Sequence, residues 1–250
     1  MTNYTVNTLE LGEFITESGE TIDHLRLRYE HVGLPGQPLV VVCHALTGNH
    51  LTYGTDAQPG WWREIIDGGY IPVHDYQFLT FNVIGSPFGS SSKLNDDNFP
   101  EYLTLRDIVR AIELGIQALE FKKINILIGG SLGGMQAMEL LYNRQFEVEK
   151  AIILAATDKT SSYSRAFNEI ARQAIHIGGK EGLSIARQLG FLTYRSSKSY
   201  DQRFTPDEVV SYQQHQGDKF KEYFDLNCYL TLLDVLDSHH LDRRSEEHTS

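Results

Sequence analysis

Cysteine is nearly absent from this chain. Only Cys43 and Cys228 occur in 250 residues, too few for a disulfide framework or a cysteine-rich zinc site, so a reducing compartment is expected. Basic residues are in deficit as well. Lys plus Arg number 22 against 33 Asp plus Glu, giving a net charge of -11. That argues against non-specific binding to nucleic acid or to an anionic membrane surface, because both need a basic footprint. No apolar run approaches the span of a bilayer. The start, Met1-Thr2-Asn3-Tyr4-Thr5, has neither a basic n-region nor an apolar h-region, so it does not read as a signal peptide. Internal repeats and low-complexity segments are missing too. What is present is 41% hydrophobic and 22% charged residues, the composition of a folded chain. The length fits one α/β domain, or a core with an inserted cap. The expectation is a soluble cytoplasmic protein that handles small molecules.

The first half alternates short β-rich runs with helical patterns. Leu25 to Val32 reads as a strand, and Pro38 to His44 is a continuous apolar run of the kind a strand buried on both faces requires. Phe78 to Ile84, Ile124 to Ile128 and Ala151 to Ala155 read as further strands. Leu103 to Leu119 carries apolar residues on one helical face, and Gly133 to Tyr142 reads as the next helix. Strands alternating with helices imply a mostly parallel sheet covered by helices on both faces. From Ser161 to Ser238 only helical segments are expected: Ser164 to Ile175, Gly182 to Leu189, Pro206 to Phe224 and Leu226 to Leu236. The chain is therefore divided into an α/β core over 1–158, a helical cap over 159–240 and a tail over 241–250.

The strongest local signal is Ile128-Gly129-Gly130-Ser131-Leu132-Gly133-Gly134. It contains G-x-S-x-G between a predicted strand and a predicted helix, the context in which that motif presents a nucleophile. Small flanking residues let the backbone turn sharply, and the helix start aims N–H groups at a developing oxyanion. A phosphate cradle needs a Lys after its glycines; here Met135 and Gln136 follow. The second signal is His44-Ala45-Leu46-Thr47-Gly48 at the end of an earlier strand. An oxyanion hole on this architecture takes one N–H from the residue after the nucleophile and one from such a loop, so Leu132 and Leu46 are the candidates. His44 and His50 lack a third ligand at metal-binding spacing, so no metal is expected and His44 is assigned to ordering the loop.

These residues resemble the homoserine O-acetyltransferase family, a branch of the α/β-hydrolase superfamily. The resemblance rests on His44 to Gly48, Gly60-Trp61-Trp62, Asn82-Val83-Ile84-Gly85, Gly129 to Gln136, Ala166-Phe167-Asn168-Glu169, Leu192 to Ser196 and His215 to Lys219, in this order. It implies acetyl transfer from acetyl-CoA, a co-substrate rather than a bound cofactor, to the hydroxyl of L-homoserine in methionine biosynthesis. The implied mechanism is ping-pong through acyl-Ser131, with the N–H groups of Leu46 and Leu132 holding the oxyanion. It also implies that Arg187 holds the substrate carboxylate, that Tyr194 lines the same pocket, and that two copies meet through the cap. The alternatives are an esterase of the same fold, or a family member that uses serine or succinyl-CoA.

The chain departs from the family beyond the cap. A hydrolase-fold triad runs Ser, Asp, His in chain order, yet Asp234 and Asp237 lie in a helical pattern and His239 and His240 follow at once. The triad Asp and His are thus expected to be absent, the last strands of the core to be missing, and the chain to be an inactive, poorly soluble fragment. Arg244 to Ser250 is the heptapeptide that AGATCGGAAGAGCACACGTCT encodes, which resembles a sequencing adaptor. The tail is accordingly read as non-native.

Overall fold

Five consecutive apolar residues, Leu-Val-Val-Val-Cys, can only be placed where both faces of a strand are covered. The computed structural model describes residues 3–241, and it places that run, Leu39–Cys43, near the middle of a six-stranded sheet with every residue buried. The strands are β1 (Tyr4–Glu10), β2 (Phe14–Ile15), β3 (Thr21–Ile22), β4 (Arg26–Val32), β5 (Leu39–Cys43), β6 (Gln77–Phe81), β7 (Lys123–Gly130) and β8 (Glu147–Leu154). Helices α1 (Arg63–Asp67), α2 (Leu105–Ala118) and α3 (Leu132–Asn143) alternate with them. Then follow α4 (Ser162–Gly178), α5 (Lys180–Thr193), α6 (Ser197–Arg203), α7 (Pro206–Tyr223) and α8 (Leu226–Ser238).

The large sheet runs β1-β4-β6-β5-β7-β8, and β2 pairs with β3 as a separate ribbon. β6, β5, β7 and β8 are parallel neighbours, whereas β1 with β4 and β4 with β6 are antiparallel. The two faces of β5 are served by different clusters. Val41 and Cys43 join the main core with Leu27, Phe81 and Leu127, while Val40 and Val42 pack with Ile66, Phe78, Ile126 and Ile128. Each such side chain contributes about 1.5–3 kcal/mol by leaving water.

Capping residues set where the helices begin. Thr104 and Asp107 form a reciprocal capping box on α2, and Thr205 with Glu208 forms another on α7, where Pro206 occupies the first turn. Asp225 caps α8 by accepting from the N–H groups of Asn227 and Cys228. α8 lays Leu232, Leu233 and Val235 into the main core, and so ties the helical block to the sheet. A short strap completes the tie. Thr160 N–H donates to His239 O, and Leu241 N–H donates to Asp158 O.

Several elements depart from the sequence reading. β1 was not expected, and with β4 it makes one side of the sheet antiparallel. It is an outer strand with mostly exposed side chains, so it has no buried run to reveal it. β8 starts four residues before the expected Ala151, because Glu147 and Glu149 hide it. Lys123 on the neighbouring strand pairs with Glu147 at 2.9 Å, a charged pair that an outer strand tolerates. α1 and α6 are short, and α6 buries none of its residues. Among the described residues no strand follows β8, and no helix is long and apolar enough to cross a membrane. The reading of the tail lies, apart from Leu241, outside the described residues.

Candidate active site

β7 runs into α3 through one residue, Ser131, whose backbone has φ 56 and ψ -124. A non-glycine residue in that region is strained and persists only where its surroundings impose it. Here the surroundings are specific. Ser131 N–H donates to Leu154 O at 2.9 Å, and Met135 N–H donates to Ser131 O at 3.0 Å. A Cβ on Gly129 would collide with the carbonyl of Gly133, and one on Gly133 would collide with the carbonyl of Cys43. The turn can therefore close only with glycine at both positions, which is the physical content of the G-x-S-x-G spacing.

The Ser131 side chain is exposed and opens into a cavity of about 720 Å³, lined among others by Leu46, Met135, Ala155, Asn168 and Tyr194. Ala155, just past β8, also has a positive φ of 48. A second hollow of about 560 Å³, beside Met138, Leu141, Tyr142 and Arg144, is lined by no serine or cysteine.

The loop after β5 is held from beneath. His44 is fully buried; its Nδ1–H donates to Ala45 O at 2.8 Å, and its Nε2 accepts the N–H of Val83 at 3.1 Å. Those two bonds require the neutral ring, and burial lowers its pKa to about 4. Gln136 of α3 donates to His44 O at 3.1 Å, which couples α3 to the loop. Farther along, the buried carboxylate of Glu30 accepts the N–H groups of Thr52, Tyr53 and Gly54 at 2.7–2.8 Å. Burial raises the Glu30 pKa, and those three donors oppose the shift. No acceptor among the described residues takes the N–H of Leu46 or of Leu132. Both are free to meet a developing oxyanion.

Arg187 on α5 sits over three aromatic faces, with its guanidinium carbon 4.6 Å from the Phe191 ring centre, 4.8 Å from Phe220 and 5.9 Å from Tyr194. Its Nη1 donates to Thr47 Oγ1 at 3.3 Å. No described carboxylate pairs with it, so it is a cation held by rings and a hydroxyl. Ser131, Leu46 and Tyr194 line one cavity. Arg187 does not line it but stands against the lining ring of Tyr194, and Leu132, next to Ser131 in the chain, is buried.

Among the described residues no imidazole or carboxylate hydrogen-bonds to Ser131. His44 is committed as above, and His239 donates from Nε2 to Thr157 O at 2.9 Å. Asp234 and Asp237 are both taken by Arg172, at 2.9 and 2.6 Å. No group of three or more metal-ligating side chains occurs among the described residues. Sequence reasoning missed Thr47, Glu30, Asn168 and the rings of Phe191 and Phe220. Glu30 and Phe220 act between elements far apart in the chain, so no local pattern marks them, whereas Phe191 stands four residues after Arg187 on α5, and Thr47 and Asn168 lie in stretches that carry the family resemblance without stating a role for them.

A family model described as alpha/beta hydrolase fold matches residues 38–177. The crystal structure of homoserine O-acetyltransferase from Staphylococcus aureus is 87% identical, with a TM-score of 0.94 over 97% of this chain and 74% of that one. A homoserine O-acetyltransferase of Methanococcus vannielii is 34% identical over 90% of this chain and 55% of its own length. A homoserine O-succinyltransferase of Methylibium petroleiphilum is 34% identical over 88% of this chain and 68% of its own. The chain thus spans about half the length of the first curated relatives it matches.

Proposed function

Since the chain belongs to the homoserine O-acetyltransferase family of the α/β-hydrolase fold, we propose that the protein carrying it transfers an acetyl group from acetyl-CoA to the side-chain hydroxyl of L-homoserine, a step of methionine biosynthesis. The observation that carries this reading is one arrangement. A strained, exposed serine and Leu46 line one cavity, the N–H groups of Leu46 and of Leu132 next to that serine are uncommitted, and a carboxylate-free guanidinium stands beside the cavity-lining Tyr194.

Ser131 Oγ attacks the thioester carbonyl and loses its proton to a general base. The N–H groups of Leu46 and Leu132 stabilise the oxyanion of the tetrahedral intermediate, and CoA leaves as the thiol. The homoserine hydroxyl then gives its proton to the same base, attacks the acyl carbonyl and releases Ser131. Arg187 orients the acceptor by its carboxylate, which the planar guanidinium matches with two parallel hydrogen bonds. The reading requires a base and an orienting carboxylate that none of the described residues supplies. Pairing of two copies through the cap helices is supported by Tyr163, Ile170 and Ile177, one exposed stripe along α4.

The test is mass spectrometry of the full-length protein mixed with acetyl-CoA or succinyl-CoA, followed by addition of L-homoserine. The reading expects an acetyl adduct on Ser131 that disappears with formation of O-acetylhomoserine. A succinyl adduct alone moves the protein to the donor class named for the Methylibium relative. Release of free acetate without O-acetylhomoserine makes it an esterase.

A further inference from the structure

Asn168 faces the same cavity as Ser131, from α4. Its Nδ2 donates to Asp237 Oδ1 at 2.7 Å. Asp237 is nearly buried and is held at 2.6 Å by Arg172, which also contacts Asp234 at 2.9 Å and Glu169 at 3.6 Å. A carboxylate accepts only, so the amide of Asn168 has one permitted orientation, with NH2 toward Asp237 and oxygen away from it. That oxygen has no donor among the described residues, and it is not among their sealed, unpartnered polar atoms. It is an acceptor open to the cavity and fixed from behind.

The charge around the cavity is polarised. Behind Asn168, three carboxylates surround one guanidinium. Two further guanidiniums, Arg187 and the cavity-lining Arg195, belong to α5 and the turn that ends it. A site with a cationic side and an acceptor backed by carboxylates is matched to a zwitterion. We propose that Asn168 Oδ1 accepts a hydrogen bond from the α-ammonium of the amino-acid acceptor, with Asp237 and Arg172 as positioning residues that lock its orientation. This inference rests on the transferase reading and adds to it the group that distinguishes an amino acid from a plain hydroxy acid.

The test compares kcat/KM for L-homoserine with that for 4-hydroxybutyrate, the same molecule without its α-ammonium, in the full-length protein. Asn168→Leu removes the acceptor at nearly constant volume. It is expected to lower the preference for homoserine by about ten- to a hundredfold, the worth of one hydrogen bond to a charged group. Asn168→Asp combined with Asp237→Asn exchanges the two ends of that hydrogen bond, so an acceptor oxygen is kept, and it is expected to hold the preference near its original level. An unchanged ratio in Asn168→Leu, or the same fall in both variants, overturns the assignment and leaves the transferase reading standing. Absence of transfer to homoserine by the unsubstituted protein overturns both. If Asn168→Leu does not fold, the exchanged pair decides alone, since a fall in its ratio overturns the assignment.

Discussion

Arg187 Nη1 and Thr47 Oγ1 lie 3.3 Å apart and join helix α5 to the loop that bears Leu46. One bond thereby links the residue proposed to hold the acceptor with the neighbour of the proposed oxyanion donor Leu46. Arg187→Ala in the full-length protein is expected to reduce kcat/KM for homoserine by about a hundredfold, the loss of a charged bidentate contact. Acyl-Ser131 formation should suffer less. Arg187→Lys should recover little, because an ammonium cannot make the paired contact or stack as the guanidinium does on Phe191 and Phe220. Equal losses in both half-reactions would refute the assignment.

The φ of 56 at Ser131 predicts a trade between activity and stability. Ser131→Gly relaxes the strain and is expected to raise unfolding stability by roughly 1 kcal/mol, whereas Ser131→Ala keeps the Cβ and should not. Both should abolish the acyl-enzyme. Urea denaturation of the two variants beside the parent measures this, and equal stabilities for glycine and alanine would contradict the strain.

Two buried histidines set a pH window. Burial lowers the pKa of His44 to about 4, and burial together with the Arg28 and His44 charges lowers that of His50 to about 4. In the unfolded chain both titrate near 6.5. Between those values the unfolded state binds more protons, so stability rises with pH across the window and is lost as pH falls through it. The slope is up to about 1.4 kcal/mol per pH unit for each ring. Calorimetry should find the melting temperature falling from pH 6.5 to 4.5, and less steeply in His50→Gln. A melting temperature constant over that range would be inconsistent with neutral, buried rings.

Arg172 is the only described cation in contact with Asp237, and only 6% of the Asp237 side chain is exposed. Arg172→Leu strands that carboxylate and should cost about 3–5 kcal/mol. Restoring neutrality with Asp237→Asn in the same chain should recover part of the loss. The double variant in a thermal melt is the check, and a second loss in place of a recovery would mean that the pair is not coupled in this way.

How much of this was legible beforehand depends on the range of the interaction. The buried strand Leu39–Cys43, the turn at Ser131 and the helix starts at Thr104, Thr205 and Asp225 follow from rules spanning a few residues: continuous apolarity, collision-free glycine, and a side-chain oxygen three residues from an orphan N–H. The G-x-S-x-G turn and most of the succession of strands and helices were therefore determined by the sequence itself. The antiparallel β1, the three N–H groups on Glu30, the rings around Arg187 and the locked amide of Asn168 were decided only by tertiary structure. Apart from Phe191 and Tyr194, which follow Arg187 by four and seven positions, each of these joins residues far apart in the chain. Whether a polar side chain is solvated, sealed or aimed at a cavity is a property of what packs around it, and its own neighbours in sequence do not carry that information.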